Sequence, residues 1–112
     1  MDLEFLVKSV PLDSLCCPDK LKNNVSGGYA GDLLSDVIAN SAAGAVWITR
    51  QAHQNIIAVA SLKDHAGIII AQGSRPDADT LARAEKEGIP VMVTGLSAFE
   101  VAGKIYRLLH GS

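Results

Sequence analysis

The run Gly67-Ile68-Ile69-Ile70-Ala71 constrains this chain more than any other stretch, because its apolar residues are unbroken by polar alternation. A strand of that kind carries apolar side chains on both faces, so its sheet must be covered on both faces, as parallel sheets are. Residues 45–49 (AVWIT) and 90–94 (PVMVT) are short runs of the same character. Helical patterns separate the three, so each strand is expected to run parallel to the next, with 67–71 in the centre.

The helices follow from spacing. Leu33, Leu34, Val37 and Ile38 lie on one helical face that ends at Ser41 and Gly44. Ile56, Ile57, Val59, Ala60 and Leu62 make a helix apolar around most of its girth, which predicts burial on two sides and an excess of apolar surface suited to a homodimer. After the turn at Arg75-Pro76-Asp77 a helix runs to Gly88, with Asp79, Arg83 and Glu87 on a solvated charged face. Ser97 and Glu100 form an S-x-x-E capping box for a last helix, whose inner face is read as Phe99, Ala102, Ile105, Tyr106 and Leu109. At the other end, Leu3–Val10 reads as a first strand closed by Pro11, 11–24 as an irregular connection, and Val25–Tyr29 as a second strand. The order β-β-α-β-α-β-α-β-α predicts an α/β fold, a Rossmann-like three-layer sandwich with a mostly parallel sheet of about five strands, in one domain over 1–112.

Composition excludes several classes. With 48% apolar and 20% charged residues, disorder is excluded. A net charge of −2 without a basic stripe or aromatic platform speaks against nucleic acid. No apolar run is long enough to span a bilayer, and Met1-Asp2-Leu3-Glu4 is not a signal peptide, so no membrane partner and a cytoplasmic location are expected. Cys16 and Cys17 are adjacent, poor geometry for a structural disulfide. They read as reduced loop thiols whose replacement by serine costs at most about 1 kcal/mol, ahead of a redox-active vicinal pair.

In an open parallel sheet, ligands bind beyond the carboxyl ends of the strands. Gly31-Asp32, Thr49-Arg50-Gln51, Gln72-Gly73-Ser74-Arg75 and Thr94-Gly95 fall there by sequence. Val25 to Asp36 (VSGGYAGDLLSD) reads as strand, tight glycine turn and helix start, with Asp32 as N-cap. It matches neither G-x-G-x-x-G nor G-x-x-x-x-G-K-[ST]. Asp32 and Asp36 stand one turn apart, and a cap plus a solvated carboxylate is read ahead of a shared cation. Gly27, Gly28, Asp32, Arg50, His53, Asn55 and Thr94 are the candidate ligand contacts. His53 is the side chain suited to titrate near neutral pH, but no nucleophile can be placed beside it, so no catalytic residue is named. His65 and His110 read as loop and terminal residues, and Trp47 and Tyr29 as core. Neither a metal site nor a cofactor is identified.

Asn23-Asn24-Val25-Ser26-Gly27-Gly28, VWITRQAHQNIIAVA (46–60) and GIIIAQGSRPDADTLARAEKEGIPVMVTGLSAFEVAGKIYRLL (67–109) together resemble the DRTGG domain in its short, stand-alone form, over residues 20–109. The glycines of the Asp-Arg-Thr-Gly-Gly signature are kept here and its Asp-Arg is lost. Such domains resemble the N-terminal part of HPr kinase/phosphorylase. They also occur in phosphotransacetylases and, between CBS domains, in some inorganic pyrophosphatases, with the catalytic machinery outside the domain. The resemblance implies a regulatory or scaffolding module. Two function classes follow: a non-catalytic, dimeric module sensing a small ligand (phosphorylated or nucleotide ligands included) or a signalling protein partner, and a small enzyme acting on a phosphorylated or acyl metabolite at the strand-end crevice.

Overall fold

The computed structural model describes residues 1–111. Strands β1 (Asp13–Ser14), β2 (Gly27–Ala30), β3 (Ala45–Thr49), β4 (Gly67–Ile70) and β5 (Val91–Val93) form one sheet in the order β1-β5-β4-β3-β2. β2 to β5 are parallel, and β1 pairs antiparallel with β5 at the edge. Trp47 stands opposite Tyr29 on one side and Ile68 on the other. The sequence expectation for β4 holds: it lies between β3 and β5, parallel to both, and Ile68, Ile69 and Ile70 are fully buried.

The helices are α1 (Leu3–Ser9), α2 (Leu34–Asn40), α3 (Asn55–Lys63), α4 (Ala78–Glu87) and α5 (Ala98–His110). Trp47, Ile68, Ile70, Val91 and Val93 meet α2, α3 and α4 in one core. Val46, Ile48, Ile69 and Met92 meet α1 and α5 in a second core across the sheet. The result is the three-layer sandwich that the pattern predicts. Gly67 is where the first core residue of α1 comes closest: a Cβ there would lie 3.1 Å from both Leu3 Cδ1 and Met92 Cε and 3.2 Å from the Pro90 carbonyl oxygen. Ser97 and Glu100 form the expected reciprocal box at α5, and Gly88 closes α4 at φ +70°.

Several expectations are corrected. Leu3–Val10 is a helix, not a strand. Asp2 caps it by accepting from the Phe5 N–H at 2.9 Å, and Leu3, Leu6 and Val10 then fall on one buried face. The connection to Asn24 is not wholly irregular: it contains β1 and a 3₁₀ turn over Pro18–Lys20. Gly27 and Gly28 lie in β2 with no positive φ, so the tight glycine turn is absent. On the outermost helix of its layer, α2, Val37 is buried but Leu33 is 68% and Ile38 39% exposed. Leu33 is itself the extended N-cap residue, off the helical face. On α5 the inner face is set by Val101 and Ile105, which turns Phe99 (88%) and Tyr106 (65%) to solvent. Most of the girth of α3 is absorbed within its own layer, by α2 on one side and α4 on the other, while Leu62 stays exposed.

The cysteines stand in the loop between β1 and the 3₁₀ turn, as expected, but they are not exposed there. Cys16 and Cys17 are buried in the same core as Ala84 and Ile89. Both Sγ atoms lie 3.5 Å from the Ile89 carbonyl oxygen, Cys17 Sγ is also 3.5 Å from that of Ala84, and the two sulfurs are 3.2 Å apart. Burial, followed by the hydrogen bond and charge of Cys16, pushes the Cys17 thiol up to about 12.

His65 lies in the loop between α3 and β4, as read from sequence, but it is buried there. The Ser41 hydroxyl donates to the Val37 carbonyl at 2.6 Å, so it accepts from His65 Nε2 at 2.9 Å, which leaves buried Nδ1 unprotonated and without a partner. Burial, with the Lys63 charge adding to it, lowers the His65 pKa. The folded state therefore resists a proton that the unfolded chain accepts below about pH 6.5. Stability should be level above that pH and fall on acidification by at most about 1.4 kcal/mol per pH unit, until the folded-state pKa is passed. Urea unfolding from pH 7.5 to 5.5 measures this slope. In His65→Gln, whose amide can still donate to Ser41, the slope should disappear.

Candidate functional site

Because β2, β3 and β4 are parallel neighbours, their carboxyl ends deliver three loops to one edge. Asp32, Arg50, Gln51, Gln72 and Ser74 line an open cleft of about 440 Å³ there. The crossover helices α2, α3 and α4 all pack on the same face, so the strand order does not reverse between β2 and β5. The cleft is thus made by the loops and not by a topological switch point.

Asp32 is the hub. Its Oδ1 accepts from the Thr49 hydroxyl and the Arg50 N–H, both at 2.8 Å, and its Oδ2 accepts from Arg50 Nε at 3.4 Å. Gln51 Nε2 donates to the Asp32 carbonyl at 3.0 Å. The carboxylate therefore ties the end of β2 to the end of β3. It is not the N-cap of α2, whose cap residue is Leu33 and has no side-chain bond. Partial burial works against the charge, but the bonds from the Arg50 backbone, Thr49 and the Arg50 guanidinium hold the carboxyl below its usual range. One residue back, the Gly31 carbonyl accepts from Trp47 Nε1 at 2.9 Å, which anchors the same loop to the core. Asp36 is separate: it accepts from the Tyr29 hydroxyl at 2.6 Å and from Asn40 at 2.9 Å, so the two aspartates share nothing.

The opposite wall is shaped by backbone. Gln72 (φ +64°) and Gly73 (φ +75°) are both left-handed, and their N–H groups donate to Leu96 and Thr94 carbonyls at 2.7 and 3.0 Å. For a glutamine that conformation costs about 1 kcal/mol, and such strain concentrates at functional sites. Thr80, fully buried, donates to the Ala52 carbonyl at 2.8 Å and pins the loop after β3 to α4.

Of the residues selected from sequence, Asp32 and Arg50 meet in the cleft. Gly27 and Gly28 start β2 opposite Ala45 and Val46, at the far end of the sheet, roughly 13 to 17 Å from Asp32 by strand rise. Gly28 instead borders a groove shared with Ile48, Ala102, Tyr106 and Leu109. His53 is exposed, its Nδ1 accepting from the N–H of Asn55 at the start of α3 at 3.4 Å, and neither lines the cleft. Thr94 is buried at the end of β5, accepting from the Leu96 N–H at 3.2 Å, and is not in the lining either. Gln51, Gln72 and Ser74 join Asp32 and Arg50 instead. The signal for them was the strand-end position alone, since amides and a hydroxyl have no spacing signature. Among the described residues no group of three or more His, Cys, Asp or Glu is placed to hold a metal ion, and no helix is long and apolar enough to cross a membrane.

The fold resembles a solved structure, that of the CBS and DRTGG domains of the regulatory region of Clostridium perfringens pyrophosphatase complexed with activator, diadenosine tetraphosphate. The TM-score is 0.69 at 15% identity, over 93% of this chain and 45% of that one. The chain thus spans under half the length of that structure. No curated protein matches the sequence. The DRTGG domain profile matches residues 21–108, the four parallel strands with α2, α3, α4 and nearly all of α5, and the chain belongs to the DRTGG domain family.

Proposed function

We propose that this domain is a non-catalytic regulatory module that senses a small ligand in the cleft at the carboxyl ends of β2, β3 and β4, in the cytoplasm and as a homodimer. The observation that carries the reading is the convergence of Asp32, Arg50, Gln51, Gln72 and Ser74 from three separate loops around one opening. Membership in the DRTGG family supports a regulatory role. The pyrophosphatase region of similar fold is complexed with an activator nucleotide, which supports a phosphorylated or nucleotide ligand as the class to test here. The other reading is an enzyme acting on a phosphorylated or acyl metabolite in the same cleft. Against it, the cleft's one carboxylate is held in three hydrogen bonds with its pKa lowered, a poor proton acceptor.

A ligand that binds only the folded state adds about 2.7 kcal/mol at a hundred times its Kd. For a domain of this size that is a melting shift of roughly ten degrees or more. A thermal-shift screen of nucleotides and phosphorylated metabolites should find such a compound, and Arg50→Ala should abolish its effect while leaving the unliganded melting point nearly unchanged. A flat screen, repeated with divalent cations, would turn the proposal toward a module that binds a signalling protein.

Support for the homodimer comes from apolar side chains left outside the core, chiefly Phe99 and Tyr106 on α5, with Leu33 and Leu62 elsewhere. Light scattering at roughly tens of micromolar, where modest interfaces associate, should give twice the monomer mass. A Phe99→Ser, Tyr106→Ser double variant should give the monomer mass, and a monomeric unmodified protein removes the dimer from the proposal.

A further inference from the structure

The geometry points to an oxyanion as the group this cleft recognises: we infer that the outer edge of the Arg50 guanidinium receives the carboxylate or phosphate of a small metabolite, with Asp32 as the residue that positions it. The inference rests on the cleft being a ligand site.

Asp32 takes only the Nε side of Arg50, while its other oxygen is occupied by the Thr49 hydroxyl and the Arg50 N–H. The two Nη nitrogens make no hydrogen bond within the described protein, and Arg50 lines the opening. A guanidinium held by one edge presents its other edge as a planar pair of donors, the arrangement that matches two oxygens of a carboxylate or phosphate. Gln51 also lines the opening, and its Nε2 donates to the Asp32 carbonyl, which holds that loop against Asp32 beside Arg50. Across the cleft, the Gln72 side chain stands on a left-handed residue and Ser74 follows two positions later, both in the lining and neither side chain hydrogen-bonded among the described residues. They add an amide and a hydroxyl donor opposite the fork.

The lining contains no aromatic ring. A nucleobase would find no aromatic stacking platform here, which favours the charged head group over a base as what the site reads. The Asp32–Arg50 pair nearly cancels in charge, so attraction at a distance is weak and recognition depends on the fork geometry. Arg50 is more than half exposed, so binding should also weaken as salt rises.

The test is a ¹⁵N titration of the whole chain with inorganic phosphate and, separately, with malonate, each against chloride at equal ionic strength. The expected result is movement of the Arg50 Nε–H signal and of the Arg50, Gln51, Gln72 and Ser74 amides with at least one anion. The tighter of the two tells phosphate from carboxylate. Arg50→Lys keeps the charge and removes the fork, and should weaken binding about tenfold, the loss of one charge-assisted pair. In Asp32→Asn the carboxylate that orients the guanidinium is gone. The Arg50 Nε–H signal should then shift before any anion is added, and affinity should fall, with the melting point little changed. An equal response from Arg50→Lys overturns the inference. So does a neutral polar metabolite that moves the cleft signals while both anions leave them still, a result that keeps the cleft as the ligand site. Signals that move only outside the cleft, with either anion and with every compound of the screen, overturn the inference and the cleft together.

Discussion

Trp47→Ala should lower the unfolding free energy by about 3 to 5 kcal/mol, the range for truncating a large buried aromatic. That is a large share of what a small domain has. Trp47 is fully buried between the sheet and the α2–α4 layer, so its removal leaves a cavity among Val37, Ile57 and Ile68. It also deletes the indole N–H that holds the Gly31 carbonyl at 2.9 Å. Urea denaturation measures the total, and Trp47→Phe separates the parts. Phenylalanine keeps most of the apolar contact but leaves the loop before Asp32 without its anchor. Its cost should be smaller, and its effect on any ligand response larger, than the stability change alone explains. A loss below about 1 kcal/mol for Trp47→Ala would contradict the packing described here.

The second large effect is at the cysteines. Cys16→Ser together with Cys17→Ser should cost about 3 kcal/mol, where partly exposed thiols would cost at most about 1 kcal/mol. Two hydroxyls would enter a core lined by Ala84, Ile89, Val91 and Val93. A buried thiol behaves as a small hydrophobe, and its 3.5 Å contacts to the Ile89 and Ala84 carbonyls are long for a hydroxyl to reproduce. Chemical denaturation under reducing conditions is the measurement. The same packing predicts slow modification of the native thiols by aromatic disulfide reagents and fast modification in urea, because both are buried and the Cys17 thiol, pushed up to about 12, is a poor nucleophile. A double variant as stable as the unmodified chain would place the thiols outside the core.

Much of the fold was legible because it depends on pattern over several residues. The unbroken run 67–71 required a covered parallel strand, and β4 is one. The Ser97–Glu100 box and Gly88 marked helix ends where they occur. Short elements escaped. LEFLVKSV mixes β-forming Phe5, Val7 and Val10 with helix-forming Leu3, Glu4, Leu6 and Lys8, and Asp2, outside that run, favours the helix by capping it. β1 is two residues long, below any periodicity, and exists only because β5 pairs with it. The loop positions of the cysteines and His65 were read correctly but their burial was not, because burial of a residue in a connecting segment depends on what packs over it, which local spacing does not encode.

The cleft was legible as a place and less so as a set of side chains. Strand-end position brought Asp32, Arg50, Gln51, Gln72 and Ser74 to one edge, as parallel pairing demands. Glycine content drew attention to Gly27 and Gly28, but these residues open an edge strand at the opposite end of the sheet. The role of Asp32 changed for a specific reason. A cap and a loop-to-loop tie need the same residue type, and only the three-dimensional path shows that Thr49 and Arg50 are nearer its carboxylate than the α2 amides are.

The central claim, that ligands enter between the loops after β2, β3 and β4, is tested most directly by amide hydrogen exchange with and without the compound that gives the largest thermal stabilisation. The account predicts added protection concentrated at 31–33, 49–52 and 72–75, beyond the uniform slowing that stabilisation produces everywhere. Protection concentrated along α5, around Phe99 and Tyr106, with those three loops unchanged, would contradict it.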